Sequence, residues 1–120
     1  MLADTLTIND GSADKDFVKT KVLPDGSLRL DDATTSLEPQ TLTIRHQVAT
    51  LKGGGLVDRH LVQIAQTVLD DNQVAHTAMV NITIAVPRTA AIEVADVTKL
   101  VVLAINTVET RVAEITRGES

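Results

Sequence analysis

Residues 80–96 read VNITIAVPRTAAIEVAD, and the change of period inside them decides the fold. Val80, Ile82, Ile84 and Val86 alternate with Asn81, Thr83 and Ala85, the period of two that sends successive side chains to opposite faces of a strand. Pro87 has no N–H to give a ladder and ends the strand. Further on, Val97, Leu100, Val101, Ala104, Ile105 and Val108 recur at helical spacing, with Val102 and Leu103 widening the apolar stripe on either side. Asp96 is a suitable N-cap, because its carboxylate can accept an unpaired N–H of the first turn. A weaker pattern of Val108, Val112 and Ile115 follows in the last segment, and Gly118 is a suitable stop. The expectation is two C-terminal helices over 95–117.

Upstream of this junction the alternation continues. TLTIRHQVAT (41–50) sets Leu42, Ile44, His46 and Val48 against Thr41, Thr43, Arg45 and Gln47. RHLVQIAQTVL (59–69) sets His60, Val62, Ile64, Gln66 and Val68 against Arg59, Leu61, Gln63, Ala65 and Thr67. VAHTAMVNITIAV (74–86) is the third long strand. KGGGLVD (52–58) reads as a flexible connection, and LDDNQ (69–73) as a turn. Each strand has one mostly apolar face, as in an antiparallel sheet covered on one side only.

Residues 1–40 read as shorter strands, TLTI (5–8), FVKTKVL (17–23) and SLRL (27–30), followed by the polar loop DDATTSLEPQ (31–40). Pro24-Asp25-Gly26 makes a hairpin turn, since Pro presets its backbone angle and Gly accepts positive φ. The order of strands first and helices last predicts a single α+β domain over 1–120, with three long antiparallel strands over 41–87. The helices carry more apolar surface than one side of the sheet can use. Dimerisation resolves this if two sheets join edge to edge and the helices reach across the join.

Composition narrows the function classes. The 120 residues contain one aromatic residue, Phe17, and no cysteine, which excludes disulfides, thiolate metal sites and cysteine nucleophiles. No apolar run reaches the ~18 residues of a membrane span, and MLADTLTIND lacks the regions of a signal peptide. A soluble, cytoplasmically made protein with no membrane partner is expected. The net charge of −5 argues against a nucleic-acid partner in bulk, but between Pro39 and Ile92 the only carboxylates are Asp58, Asp70 and Asp71, all at expected turns. That leaves the polar sheet face, with Arg45 and Arg59, without an expected negative charge.

No catalytic constellation emerges, and no enzyme activity is expected. His46, His60 and His76 lack HxxxH or HxH spacing and read as hydrogen-bonded core or interface residues in preference to metal ligands. Asp70-Asp71-Asn72 offers the clustered oxygens that Ca²⁺ takes, but reads first as a solvated turn, so no metal or cofactor is assigned. Gly53-Gly54-Gly55 lacks the GK[ST] of a phosphate loop. The face bearing Thr, Asn, Gln and Arg reads either as an ordinary wet sheet face or as a surface for phosphates and splayed bases.

DRHLVQI (58–64), the strand ending in VPR (86–88), the helix ADVTKLVVLAI (95–105) and the terminal ITRGES (115–120) resemble the coat proteins of the small single-stranded RNA bacteriophages, the leviviruses. The resemblance covers residues 41–120 and the total length. It implies an N-terminal hairpin, an antiparallel sheet and two C-terminal helices, with two subunits sharing one continuous sheet and interlocked helices. Such dimers assemble into an icosahedral shell, a virion capsid made in the bacterial host cytoplasm, enclosing single-stranded genomic RNA. By this resemblance Thr43, Arg45, Arg59, Leu61, Gln63, Met79, Asn81 and Thr83 contact RNA, where many members also bind a hairpin and repress translation. Val97, Leu100, Val101, Ala104 and Ile105 fall in the dimer interface, and Asp70, Asp71, Asn72 and Gln73 form the loop at the shell's symmetry axes. Well-studied members carry an aromatic residue where Met79 stands. The alternative is a small dimeric α+β ligand-binding or regulatory domain whose polar face lines a pocket.

Overall fold

Each strand pairs with the next in sequence. The computed structural model describes residues 2–119. It contains β1 (Thr5–Asn9), β2 (Asp14–Leu23), β3 (Gly26–Asp31), β4 (Gln40–Thr50), β5 (Leu56–Leu69), β6 (Ala75–Pro87) and α1 (Val94–Thr116). The strands form one six-stranded antiparallel sheet in the order β1-β2-β3-β4-β5-β6, which leaves β6 as a free edge. Register follows the apolar alternation. Leu42, Ile64 and Val80 share a rung, as do Ile44, Val62 and Ile82, so one face of the long strands is aliphatic.

Local chemistry fixes the turns. In the β1–β2 turn the Asp10 carboxylate accepts the Ser12 and Ala13 N–H groups at 2.9 and 2.8 Å, which holds its pKa below the ordinary value, led by the Ala13 bond. Gly26 opens β3, but its φ is not positive. It is required for space, because a Cβ there would lie 1.8 Å from the Ile44 carbonyl oxygen. The expected flexible glycine run is a defined turn, closed by the Leu51 N–H donating to Gly55 at 2.6 Å, with Gly53 and Gly54 at positive φ. Asp58 lies inside β5 and not in a turn.

The C-terminal region is one element of 23 residues that leaves helical geometry at Arg111, where φ is −126° and ψ 21°, so that two helical stretches meet at a kink. The Thr107 and Thr110 hydroxyls donate back to the Leu103 and Asn106 carbonyls at 2.8 and 2.7 Å, a pattern that bends helices without ending them. The helix begins earlier than expected, with Glu93 as N-cap, while Asp96 reaches back from the first turn to accept the Glu93 N–H at 3.0 Å. Gly118 does stop the helix: its N–H donates to Ile115 and that of Glu119 to Glu114, both at 3.0 Å, with Gly118 at φ 85°.

The core spans the middle of the sheet, from β2 to β5. Phe17, Leu42 and Val57 are the buried apolar side chains among the described residues. Arg29 is buried with them, and its guanidinium donates to the Ala3 and Asp4 carbonyls at 2.7 and 2.9 Å, tying the N-terminal segment across β3. α1 has no buried residue, and only its start approaches the sheet, where Ile92, Val94 and Val97 face Ile84 and Val86 across a cleft. The remainder packs on no strand of its own chain. No helix among the described residues is long and apolar enough to cross a membrane.

Candidate nucleic-acid interface

The sheet brings the eight expected contact residues onto one face. Thr43, Gln63 and Asn81 share a rung; Arg45, Leu61 and Thr83 share the next one of that face. Arg59 follows beside Gln47 and Ala85, and Met79 stands at the other end beside Ala65. Arg45 and Arg59 are thus diagonal neighbours on adjacent strands, a separation of about 7–8 Å. With Gln47, Leu61 and Thr83 they line one shallow groove.

Two features of this face were not legible by alternation. The face is not free of carboxylate, because the β2–β3 turn carries Asp25 to 3.6 Å from Arg45. A register shift between Lys19 and Lys21 places Lys21 opposite Leu28, which itself pairs with Thr43, so Lys21 shares this face. Lys19 stays on the other side opposite Arg29. Strict alternation would put both lysines on one face, and no residue in FVKTKVL announces the bulge. Among the described residues no carboxylate lies within ion-pair distance of Arg59 or Lys21.

Cross-strand contacts order the surface. The Gln63 amide nitrogen lies 3.5 Å from the Met79 sulfur, and the Thr67 and Thr77 hydroxyls are 2.9 Å apart. Met79 is half-exposed, an adaptable thioether at the end of this face.

On the opposite face Asp58 is gripped by Arg88, whose Nε and Nη2 donate to its carboxylate at 2.8 to 3.1 Å. These hydrogen bonds hold the Asp58 carboxyl below the ordinary carboxylate value and raise Arg88. In the β5–β6 turn Asp70 accepts the Asn72 and Val74 N–H groups at 2.8 and 2.9 Å while its other oxygen meets His76 Nε2 at 2.9 Å. The His76 bond is the main cause of its lowered pKa. Asp71 and Asn72 are exposed beside it, and Gln73 takes the left-handed conformation at φ 63°. Among the described residues no three His, Asp or Glu side chains surround a common point that a metal ion could occupy.

The five helix residues expected at a subunit interface lie on α1. Val97 and Val101 are half-buried, while Leu100, Ala104 and Ile105 are exposed, Leu100 at 64%. Val102 and Leu103 are exposed as well, so the apolar stripe stands open along most of the helix.

No protein-family model and no curated protein matches this sequence. Its backbone does have similar solved structures. A chain of the virus-like particle of Beihai levi-like virus 21 superposes with a TM-score of 0.68 at 17% identity, covering 100% of this chain and 98% of that one. The virus-like particle of Beihai levi-like virus 32 gives 0.68 at 15%, covering 90% and 84%. The capsid protein of bacteriophage GA gives 0.56 at 12%, covering 97% and 95%. In its six-stranded antiparallel sheet and C-terminal helix, this chain has the RNA-phage coat-protein fold.

Proposed function

We propose that this protein is a structural coat subunit that dimerises, assembles into a closed shell and encloses single-stranded RNA. The observation that carries the reading is a coat-protein fold whose long helix lies open and unpacked against its own sheet. A second subunit pairing along the free β6 edge would extend the sheet, and each α1 would then cover the partner's aliphatic face. Val97, Leu100, Val101, Ala104 and Ile105 would be buried there. The turn Asp70–Gln73 would join dimers around symmetry axes.

The polar face would look inward. Arg59, Lys21 and, once released from Asp25, Arg45 would meet phosphates, with Thr43, Gln63, Asn81 and Thr83 adding hydrogen bonds and Leu61 and Met79 apolar contact to bases. Three cations per subunit give weak binding singly and strong retention when a shell repeats them. Repression through one RNA hairpin would use the same face, without the stacking worth about 1–3 kcal/mol per base that an aromatic residue at position 79 would supply.

Size-exclusion chromatography, negative-stain microscopy and nuclease protection of recombinant protein test this reading. Hollow particles holding protected RNA are expected. A population of dimers alone, with no protected RNA under any assembly condition, would overturn it.

A further inference from the structure

β4 and β5 pair His46 directly with His60, fourteen residues away in sequence and invisible to any local motif. The two Nδ1 atoms stand 2.8 Å apart, with the rings edge to face at 72° and their centroids 5.1 Å apart. Each residue sits within an unbroken antiparallel ladder, so the backbone holds the pair in place. His46 is exposed and His60 half-buried. With both rings neutral, the contact needs one Nδ1–H to donate and one Nδ1 lone pair to accept, so the pair holds two different tautomers.

The spacing is also that of a chelate. Two imidazole nitrogens in adjacent positions of a square-planar or tetragonal ion, each about 2.0 Å from the metal, stand about 2.8 Å apart. Among the described residues no carboxylate forms an ion pair with either ring, and Asp58, next on the same face, is held by Arg88. Beside the pair, a cleft of about 350 Å³ runs under the start of α1, lined by His60, Asp58 and Glu93. Asp58 is paired with Arg88 and the rest of the lining is mostly aliphatic, so the two imidazoles are the donors and the open space admits water ligands.

We propose that His46 and His60 form a two-imidazole site for a divalent transition-metal ion, Cu²⁺ foremost. The ion takes both Nδ1 lone pairs, and the hydrogen of the donor ring moves to its own Nε2, so no proton is released at neutral pH. Hard cations such as Ca²⁺ and Mg²⁺ prefer oxygen ligands and do not compete. The site is complete within one chain and does not depend on the proposed shell.

The test is electron paramagnetic resonance of untagged protein with one equivalent of Cu²⁺, on the isolated protein and on protein refolded with the metal. Refolding admits the ion even where a second subunit covers this face. Coupling to two imidazole nitrogens is expected, and calorimetric affinity should fall about tenfold or more in His46→Gln and in His60→Gln. His76→Gln should leave both readouts unchanged. Absence of the two-nitrogen signal in both preparations overturns the site, as does a signal that survives His46→Gln or His60→Gln, or one that disappears in His76→Gln. Failure to form particles would leave this result untouched.

Discussion

Arg45 and Arg59 are diagonal neighbours on one face but are not equivalent, because Asp25 lies 3.6 Å from Arg45 and no carboxylate among the described residues reaches Arg59. Arg59→Ala should therefore lower encapsidated RNA per particle more than Arg45→Ala, and Asp25→Ala should raise it; RNA extracted per milligram of particle measures all three. Equal losses from both arginines would mean that the ion pair opens freely. The arginines were legible from alternation, but Asp25 and Lys21 were not, since a turn contact and a bulge depend on register that no local pattern records. Asp58 carries a pH prediction. Its folded pKa is depressed, chiefly by the Arg88 hydrogen bonds, so the unfolded chain binds the proton more readily. The pair's contribution is thus fully present above the ordinary carboxylate value of 3.8 and is lost as pH falls through the lower folded value. Asp10 and Asp70 are shifted the same way. Asp58→Ala should flatten the decline in unfolding midpoint below about pH 4 while leaving the profile between about pH 5 and 7 parallel to the parent. A steeper decline in the variant would contradict the assignment. Gly26→Ala should destabilise by about 3 kcal/mol or more in a denaturant titration, since the added carbon would press on the Ile44 carbonyl and neither backbone can yield without breaking the β3–β4 ladder.

At the scale of elements, the strands followed from their period because each long strand has one face to hide, and a one-residue slip would invert every side chain. The helix was harder to read. Asp96 looked like the cap because it precedes the apolar stripe, yet the turn starts at Glu93 and Asp96 serves it from inside. The weakening of the stripe after Val108 coincides with a kink at Arg111, flanked by threonines that bond back to carbonyls, and not with a loop. What the period did reveal is a stripe wider than one contact needs, and that stripe is exposed in the single chain. Leu103→Glu tests its purpose. In an isolated chain the position is already open, so strand and helix content by circular dichroism should not change. If a partner covers the stripe, each buried leucine contributes about 2 kcal/mol, and adding a charge there should dissociate the dimer in analytical ultracentrifugation. A variant that stays dimeric would place the subunit contact elsewhere.

The whole molecule is more open than a compact monomer of its mass. Its accessible surface is 8922 Å², where a monomer of 12.8 kDa would expose about 6,300 Å². Its radius of gyration is 16.8 Å against about 14 Å for a compact domain of this length. The excess comes from the helix held away from the sheet and from the β6 edge, where Val80 is 59% exposed. Three buried apolar side chains among the described residues make a small core, so in the proposed dimer much of the hydrophobic free energy of folding would come from contact between chains. Folding and association should then be one equilibrium. The unfolding midpoint of unassembled subunits should rise with protein concentration, as mass action requires when only the folded state associates. Leu103→Glu should unfold at a lower temperature and lose most of that concentration dependence. A midpoint independent of concentration in the parent chain would mean that the sheet, with its small core, is stable before any partner arrives, and the shell would then be built from preformed monomers.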